Sequence, residues 1–478
     1  MEHLDRLLLN EPTRAALWRQ LATIIENHLN HIHEHPVAPP ADPAEIRALL
    51  EPFDFTEPID PAEAVERVAG GFRRFLVHTP HPGYYGLFNP APTTMGIAAD
   101  ALAAAFNPQL AAWNHSPFPV ELENHLVRAF GSRFGYDPKH CDGVFASGGA
   151  EANHTAVLAA LTLGFPEFGR AGLRGLPAQP VMYVSSEGHH SLLKAARLCG
   201  LGSDACRIIP VDDKLQMDLA ALKSQLRKDR DAKLAPFLIA ATAGATSSGV
   251  VDPLVDIVPI AEAERCWFHV DATWGGAAAL VRELRPLLAG IERADSIAFD
   301  VHKWLSVPMG AGLLLTRQSQ VLTRTFQTAT DYMPRETGKV GIVDPYSHSM
   351  QWSRRFIGLK VFLSLAVAGW DGYATAIRHM TAMGDLMRRE LDGADWKIVN
   401  QTKLPLVCFV DSRHTQGGTA EYLDGIAKRV VESGKAWISA TRIGNGQPVL
   451  RACVTNYRTT ADDVATLVRA LKAARAPR

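Results

Sequence analysis

Short apolar runs alternate with amphipathic helical stretches from about residue 143 to residue 316. Each run has the length of a strand and contains few polar residues, which is typical of strands buried on both faces of a sheet. The runs are Val144-Phe145, Val181–Val184, Ile208–Val211, Phe237–Ala240, Trp267–Val270, Ile297–Phe299 and Leu313–Leu315. Strands separated by helices predict an α/β fold with a mostly parallel sheet.

Helical patterning flanks this central region on both sides. Helices are predicted over about residues 1–35, 62–77 and 355–391, and a last one begins at Thr460 as the N-cap. The predicted units are an N-terminal helical arm at 1–75, a large domain at 76–375 and a small C-terminal α/β domain at 376–478. The amphipathic arm has an apolar face that needs a surface to cover.

Composition removes several classes of protein. The 478 residues carry 49 Lys and Arg against 50 Asp and Glu, so no basic excess favours binding to nucleic acid. No apolar run is long enough to span a membrane, and the acidic first residues do not form an export signal. The six cysteines are scattered, without a Cys-x-x-Cys pair, so we expect a soluble, reduced, cytoplasmic protein.

No metal site is predicted. His28, His31 and His35 fall on one face of the first helix, but no nearby Cys or carboxylate pattern completes a zinc site. A solvated helix end explains these histidines more simply.

Reactive side chains follow the apolar runs at the points where strands end, which is where open parallel sheets bind ligands. Lys303 comes directly after His302 at one strand end, and lysine is the natural nucleophile toward an aldehyde cofactor. Asp271 ends the preceding strand. Pyridoxal phosphate needs such a carboxylate to keep its ring nitrogen protonated. Taken singly, Asp271 is equally well explained as a helix cap or half of a buried ion pair.

Two further strand ends carry features that suit the same cofactor. The turn Ser147-Gly148-Gly149-Ala150 leads from a strand into a helix, where backbone N–H groups can bind a phosphate. The segment Ser185–Ser191 contains two adjacent histidines, and an imidazole there could stack on a cofactor ring. Each feature alone is weak, but the four occur in this order on successive strand ends.

This combination resembles the group II pyridoxal phosphate-dependent amino-acid decarboxylases, which include the aromatic-L-amino-acid and glutamate decarboxylases. The segments His269–Ala272 and His302–Trp304, with their spacing, carry most of the resemblance, which extends from about residue 60 to the end. It implies the fold of type I pyridoxal phosphate enzymes, with the large and small domains and the arm described above.

The resemblance also implies roles for individual residues. Lys303 would bind the cofactor covalently, Asp271 would pair with its ring nitrogen, and His190, preferred to His189, would stack on the ring. The other cofactor-binding residues would be Ser147, Gly148, Gly149, Ala150, Thr246 and His302. Ala150 stands where relatives often have Ser, which removes one hydroxyl donor. Tyr332 matches the catalytic-loop tyrosine, which would protonate Cα after CO2 has left.

The implied reaction is decarboxylation of an L-amino acid to the amine and CO2, through covalent intermediates with the cofactor. Tyr85 and Phe88 lie in an aromatic loop that matches the substrate pocket, which favours an aromatic or bulky side chain. Phe88-Asn89-Pro90 departs from the Tyr-Phe-Pro of aromatic decarboxylases, so glutamate and aliphatic substrates stay open. An aldehyde synthase or lyase on the same scaffold and a non-catalytic pyridoxal phosphate-binding protein are the alternatives.

The resemblance finally implies a homodimer. The arm would wrap around the partner, and the active sites would lie at the interface between the two subunits.

Overall fold

The computed structural model describes residues 7–328, 342–414 and 417–475. Two sheets organise the chain. The large sheet contains β1 Asp142–Ala146, β2 Pro180–Ser185, β3 Cys206–Ile209, β4 Ala235–Thr242, β5 Trp267–Asp271, β6 Ser296–Asp300 and β7 Gly312–Thr316. The small sheet contains β8 Trp396–Ile398, β9 Leu406–Asp411, β10 Ser439–Ile443 and β11 Gln447–Cys453.

The large sheet has the strand order β1-β7-β6-β5-β4-β2-β3. Strands β3, β2, β4, β5 and β6 run parallel to one another, while β7 is antiparallel to both of its neighbours, β6 and β1. Strand β1 therefore runs in the same direction as the parallel strands. The prediction of an α/β fold with a mostly parallel sheet is confirmed, and each of the seven predicted apolar runs overlaps a strand.

The helices connect the strands and form the arm. They are α1 Glu11–His31, α2 Pro43–Leu50, α3 Pro61–Phe75, α4 Thr94–Phe106, α5 Pro117–Phe134, α6 Gly149–Gly164, α7 Phe168–Ala171, α8 Ser191–Leu198, α9 Leu219–Asp231, α10 Leu254–Glu264, α11 Val321–Phe326, α12 Gly358–Asp392, α13 Ala420–Glu432 and α14 Ala461–Arg475. None of the helices in the described ranges is both long and apolar enough to cross a membrane.

Capping explains where several helices begin. Asp60 precedes α3 and accepts the N–H groups of Ala62 and Glu63, while Pro61 supplies a residue with fixed φ at the first helical position. Thr460 precedes α14 and exchanges hydrogen bonds with Asp463, as its prediction as the N-cap requires.

The long helix α12 is broken at Gly369, whose φ of 64° and ψ of 174° are not helical. The part before the break contacts the large domain, since Lys360 Nζ lies 3.2 Å from Asp100 Oδ2 on α4. The part after it contacts the C-terminal region, where His379 Nε2 donates to the Thr459 carbonyl at 2.8 Å. The break lies close to the domain boundary predicted at residues 375 and 376, which stays a prediction.

The arm contacts the body through a few polar bonds. Arg458 Nη1 donates to the Leu29 carbonyl at the end of α1 at 3.0 Å, and the Val37 N–H donates to the Gly434 carbonyl at 2.8 Å. Within the arm, Gln20 Nε2 on α1 donates to the Ala62 carbonyl on α3. The apolar face of the arm stays partly uncovered in a single chain, because Trp18 and Phe72 are each 60% exposed.

The packing of α12 on the small sheet predicts opposite effects for two helical glycines. A Cβ at Gly384 would lie 2.7 Å from both Cα and Cβ of Pro405, whereas a Cβ at Gly70 in α3 would meet only the end of the Arg73 side chain, at 4.0 Å. We expect Gly384→Ala to destabilise the protein by about 1–3 kcal/mol through overpacking. Gly70→Ala should stabilise it by about 0.5–1 kcal/mol through lower chain entropy. Thermal unfolding measures both, and equal shifts would contradict the packing at Gly384.

Candidate active site

Five strand ends meet at one edge of the large sheet. Because β1, β2, β4, β5 and β6 run in the same direction, the residues that follow them share this edge. The side chains that the sequence singled out belong to these connections or to the strand ends themselves.

Lys303 lies one turn beyond the end of β6. Its Nζ is 3.1 Å from Asp300 Oδ2 and 3.1 Å from Thr273 Oγ1, so the ammonium group has one anionic and one hydroxyl partner. The Asp300 carboxylate is buried, and its Oδ1 atom has no hydrogen-bond partner among the described residues. Neither Asp300 nor Thr273 was assigned from the sequence. Their signal was their position at the ends of the same two strands as Lys303 and Asp271.

Asp271 ends β5 and is 3% exposed. Its Oδ2 accepts a hydrogen bond from Asn153 Nδ2 at 2.9 Å, and its Oδ1 accepts the N–H of Thr273 at 3.2 Å. Burial disfavours the charged form, but the Lys303 ammonium and the Asn153 bond outweigh it and hold the pKa of Asp271 below its usual value. The structure therefore provides a buried, ionised carboxylate close to an amine.

The glycine turn between β1 and α6 is held so tightly that side chains are excluded. A Cβ at Gly149 would lie 2.5 Å from Thr273 Cγ2, and a Cβ at Gly312 would lie 2.7 Å from Gly148 Cα. Since α6 begins at Gly149, the N–H groups of Gly149 and Ala150 have no carbonyl acceptor within the helix. The turn thus offers backbone donors at the positive end of a helix dipole.

Ser147 and His302 are next to this turn and differ in what they offer. The N–H and the Oγ of Ser147 both donate to Glu151 Oε2, at 2.8 and 2.7 Å, so Ser147 is tied to the first turn of α6. The His302 ring packs against Gly148, and its Nδ1 lies 2.9 Å from the Ala311 carbonyl. Burial lowers the pKa of His302, which favours the neutral imidazole.

The two adjacent histidines after β2 are placed differently. His189 Nδ1 lies 2.8 Å from Ser191 Oγ. Ser191 Oγ also accepts from Asn153, which donates to Asp271, so the His189 ring is joined to Asp271 through two hydrogen-bonded side chains. Burial lowers the pKa of His189. His190 directly precedes α8, and no side-chain hydrogen bond ties it to these groups among the described residues. The structure therefore brings His189, rather than the preferred His190, to the Asp271 and Lys303 cluster, and His189 replaces it as the candidate stacking residue.

The aromatic loop contributes Phe88 rather than Tyr85. The Phe88 ring stacks on Trp274 with a centroid distance of 4.6 Å, and Lys303 Nζ lies 5.5 Å from the centre of the Phe88 ring. Tyr85 is fully buried, and its backbone N–H and carbonyl bond Trp437 and Cys453. The structure thus places Tyr85 in the core and leaves Phe88 beside the lysine.

Arg451 is a site residue that sequence reasoning missed. It lies on β11 of the small sheet, is 3% exposed, and has its guanidinium carbon 5.0 Å from the centre of the Phe88 ring. Its Nε donates to the Thr246 carbonyl and its Nη1 to the Gly86 carbonyl, while Nη2 is buried without a partner among the described residues. An arginine inside the apolar run Val449–Val454 was the available signal, since arginine is rarely buried without a reason. Thr246 is thus present at the site through its carbonyl.

Tyr332 lies outside the described residues. Within the described parts of the chain, no group of three or more His, Cys, Asp or Glu side chains is arranged to hold a metal ion.

The family model described as "Pyridoxal-dependent decarboxylase conserved domain" matches residues 48–411, which is most of the chain. The chain belongs to the pyridoxal-dependent decarboxylase family. It is therefore a pyridoxal phosphate-dependent carboxy-lyase, and the resemblance found in the sequence is confirmed.

Similar decarboxylases differ in the substrates that their names state. The chain is 30% identical to an aromatic-L-amino-acid decarboxylase of Bacillus atrophaeus over 98% of this chain and 97% of the other. It is 29% identical to the acidic amino acid decarboxylase GADL1 of Xenopus tropicalis, over 77% and 72%. Its fold matches the crystal structure of Oryza sativa TDC with PLP and tryptamine at a TM-score of 0.90, with 25% identity and 98% coverage of both chains.

The residues at the sheet edge fit pyridoxal phosphate. The turn has no room for a side chain at Gly149 and offers backbone N–H donors, as phosphate binding requires. Asp271 is buried and ionised, as a partner of a protonated ring nitrogen must be. The buried Asp300 Oδ1 atom, which has no partner among the described residues, lies beside the same glycine turn. It is 2.8 Å from the position that a Cβ at Gly312 would take.

The position of Lys303 predicts that its amine is the point of covalent attachment. Borohydride reduction of the loaded wild-type enzyme should leave a pyridoxyl group on the peptide that contains Lys303, detectable by mass spectrometry. We expect Lys303→Ala to carry none and to lose activity by at least about 10²-fold. Lys360→Ala, which removes a lysine more deeply buried than Lys303, serves as the control and should keep the modified peptide. A pyridoxyl group elsewhere in the Lys303 variant would contradict the assignment.

Proposed function

We propose that the enzyme decarboxylates an L-amino acid with an aromatic or bulky apolar side chain, releasing the amine and CO2. The observation that carries the proposal is the Phe88 ring, whose centre lies 5.5 Å from Lys303 Nζ. Phe88 stacks on Trp274, which stacks in turn on Trp304 at 5.7 Å, and both indoles are buried in the core and support the Phe88 ring. An aromatic ring beside the lysine favours planar apolar groups.

Bound pyridoxal phosphate supplies an aldehyde that links to the substrate amine and a ring that accepts the electron pair of the breaking Cα–carboxylate bond. The N–H groups of Gly149 and Ala150 would hold the phosphate, with the His302 ring beside the turn. His189 would lie on one face of the ring. Asp271 would keep a proton on the ring nitrogen, and its buried negative charge would stabilise that positive charge.

Lys303 would hold the cofactor, and its amine, once free, would need partners for its N–H groups. Asp300 Oδ2 and Thr273 Oγ1 already contact Nζ at 3.1 Å and would hold it as an ammonium group. These two contacts would keep the Lys303 amine inside the site. They also preserve the positive charge that lowers the pKa of Asp271.

Arg451 would orient the substrate carboxylate. Two of its nitrogen atoms are fixed by backbone carbonyls, and the buried Nη2 offers N–H donors to an anion next to Phe88. A guanidinium group that is already fixed loses little entropy when it binds a carboxylate. When the Cα–carboxylate bond breaks, CO2 leaves and Cα takes up one proton, which Tyr332 would deliver by the implied role of its loop.

A substrate screen tests this proposal. CO2, ammonia and peroxide release are measured for aromatic, acidic and aliphatic L-amino acids. We expect the highest kcat/KM for aromatic substrates, with CO2 and amine formed in equal amounts. Phe88→Ala should raise KM for these substrates by up to about tenfold, since one aromatic contact contributes about 0.5–1.5 kcal/mol.

Phe165→Ala is the matched control, because that ring contacts Phe237 near the start of β4, at the opposite edge of the sheet, 6.1 Å between centroids. It should leave KM unchanged. A preference for glutamate or aspartate would contradict the proposed substrate class. Ammonia and peroxide formed in step with CO2 would instead identify an aldehyde synthase.

We also infer that two copies of the chain form a homodimer through the arm. The uncovered apolar side chains of α1 and α3, including Trp18, Val68 and Phe72, are too many to leave in water on a stable monomer. A second copy of the same arm offers a matching apolar surface, as two-fold symmetric interfaces require. The proposed dimer would bring the active sites to the subunit interface.

Sedimentation measures this association. The wild-type protein should sediment at twice the chain mass of 52.0 kDa. Val68→Asp in the arm should shift it toward the monomer, because a charge would be buried at the interface. Val255→Asp on α10 changes a valine that is 55% exposed, against 47% for Val68, and that lies away from the arm, so it should leave the mass unchanged. A wild-type monomer with full activity would contradict the inference.

A further inference from the structure

One buried amide connects the two groups proposed to hold the cofactor ring. Asn153 lies in the first two turns of α6 and is fully buried. Its Nδ2 lies 2.9 Å from Asp271 Oδ2 and 2.8 Å from Ser191 Oγ, and its Oδ1 lies 2.9 Å from His269 Nε2. An amide nitrogen has two N–H groups, so both bonds of Nδ2 form at once.

The partners fix the direction of every bond in this network. The ionised carboxylate of Asp271 can only accept, so the Asn153 nitrogen faces it and the Asn153 oxygen faces His269. His269 Nε2 must then carry the hydrogen, and Nδ1 accepts from Ser296 Oγ at 2.8 Å. Ser296 in turn accepts the indole N–H of Trp267 at 2.8 Å. The chain of donors therefore runs from Trp267 to Asp271.

His269 suits this position because it stays neutral. It is fully buried, and burial lowers its pKa to about 4. A protonated imidazole would carry a second hydrogen on Nδ1, which would turn Ser296 Oγ from a donor into an acceptor. With Nδ1 accepting, His269 presents its Nε2–H to Asn153 throughout the neutral pH range.

The second N–H of Asn153 leads to the other side of the site. Ser191 Oγ accepts from Asn153 and donates to His189 Nδ1 at 2.8 Å, and the backbone N–H of Ser191 also points at His189 Nδ1 at 3.2 Å. The orientation of the His189 ring therefore depends on Ser191, and through it on the same amide that holds Asp271.

We propose that Asn153 is a positioning residue that sets both the carboxylate and the imidazole that hold the cofactor ring. The proposal rests on the proposed function, because it takes Asp271 and His189 as the groups that face the pyridine. Removing the amide leaves Asp271 Oδ2 without its side-chain donor and Ser191 without the bond that fixes it. Both losses should weaken binding of the cofactor, and the first should also raise the pKa of Asp271. If Asn153 only supported the fold, its removal would change neither the cofactor affinity nor its pH dependence.

The test is cofactor binding to the apoenzyme as a function of pH. Pyridoxal phosphate is titrated into wild-type protein, Asn153→Ala, Ser191→Ala and His269→Ala, and Kd is read from the absorbance of the bound cofactor. Asn153→Ala should raise Kd by about 10–100-fold, since a buried hydrogen bond to a charged group contributes about 1.5–3 kcal/mol. The pH below which affinity is lost should move upward, because the pKa of Asp271 rises when its donor is removed.

The other variants separate the effect of Asn153 on Asp271 from its effect, through Ser191, on His189. Ser191→Ala should raise Kd without moving the pH profile, because the bond between Asn153 and Asp271 remains. His269→Ala should move the profile in the same direction as Asn153→Ala, and the double variant should show less than the sum of the two effects. Asn456→Ala removes another buried asparagine, which bonds only backbone groups, the Pro80 carbonyl and the Arg458 N–H. It should lower thermal stability and leave Kd unchanged.

The proposal is overturned if folded Asn153→Ala binds pyridoxal phosphate like the wild type, with the same pH profile. If that variant does not fold, unchanged binding by both Ser191→Ala and His269→Ala overturns it equally. A wild-type protein that binds no pyridoxal phosphate would contradict the proposed function instead.

Discussion

The active site depends on one ionised carboxylate kept away from water. A buried charge is costly unless other groups compensate it, and most of the polar side chains near Asp271 serve this purpose. Lys303 supplies the opposite charge, while Asn153 and the Thr273 backbone supply donors. The carboxylate in turn requires the neutral His269 and its partners behind Asn153. A site of this kind is organised before any ligand enters, so little reorganisation opposes the reaction.

The sheet makes this arrangement possible. The connections after parallel strands emerge at one edge, so groups far apart in sequence meet there without long loops. Close approach at Gly149 and Gly312 then brings the glycine turn between β1 and α6 against the ends of β5 and β6. Substitution of either glycine would move the turn away from the strand ends that carry Asp271 and Asp300.

The sequence was sufficient to predict features that depend only on neighbouring residues in the chain. Each strand of the large sheet overlaps an apolar run, and Lys303 and Asp271 stand out because they follow such runs directly. The sequence could not decide which of two adjacent histidines faces the site, because the choice between His189 and His190 depends on the hydrogen bonds of Ser191. The choice between Tyr85 and Phe88 likewise depends on backbone bonds to Trp437 and Cys453. Asn153 and Arg451 were missed because their partners come from distant segments, which no window of sequence contains.

Arg451 ties together parts of the chain that are made at very different times. Its guanidinium group joins the carbonyls of Gly86 and Thr246 from a strand near the C-terminus. The groups that would hold the cofactor all lie between residues 147 and 312, so their part of the sequence leaves the ribosome before β11. Arg451, proposed to bind the substrate, takes its place only after β11 has been synthesised and has paired with β9. Synthesis therefore delivers the residues proposed to hold the cofactor earlier than the arginine proposed to bind the substrate.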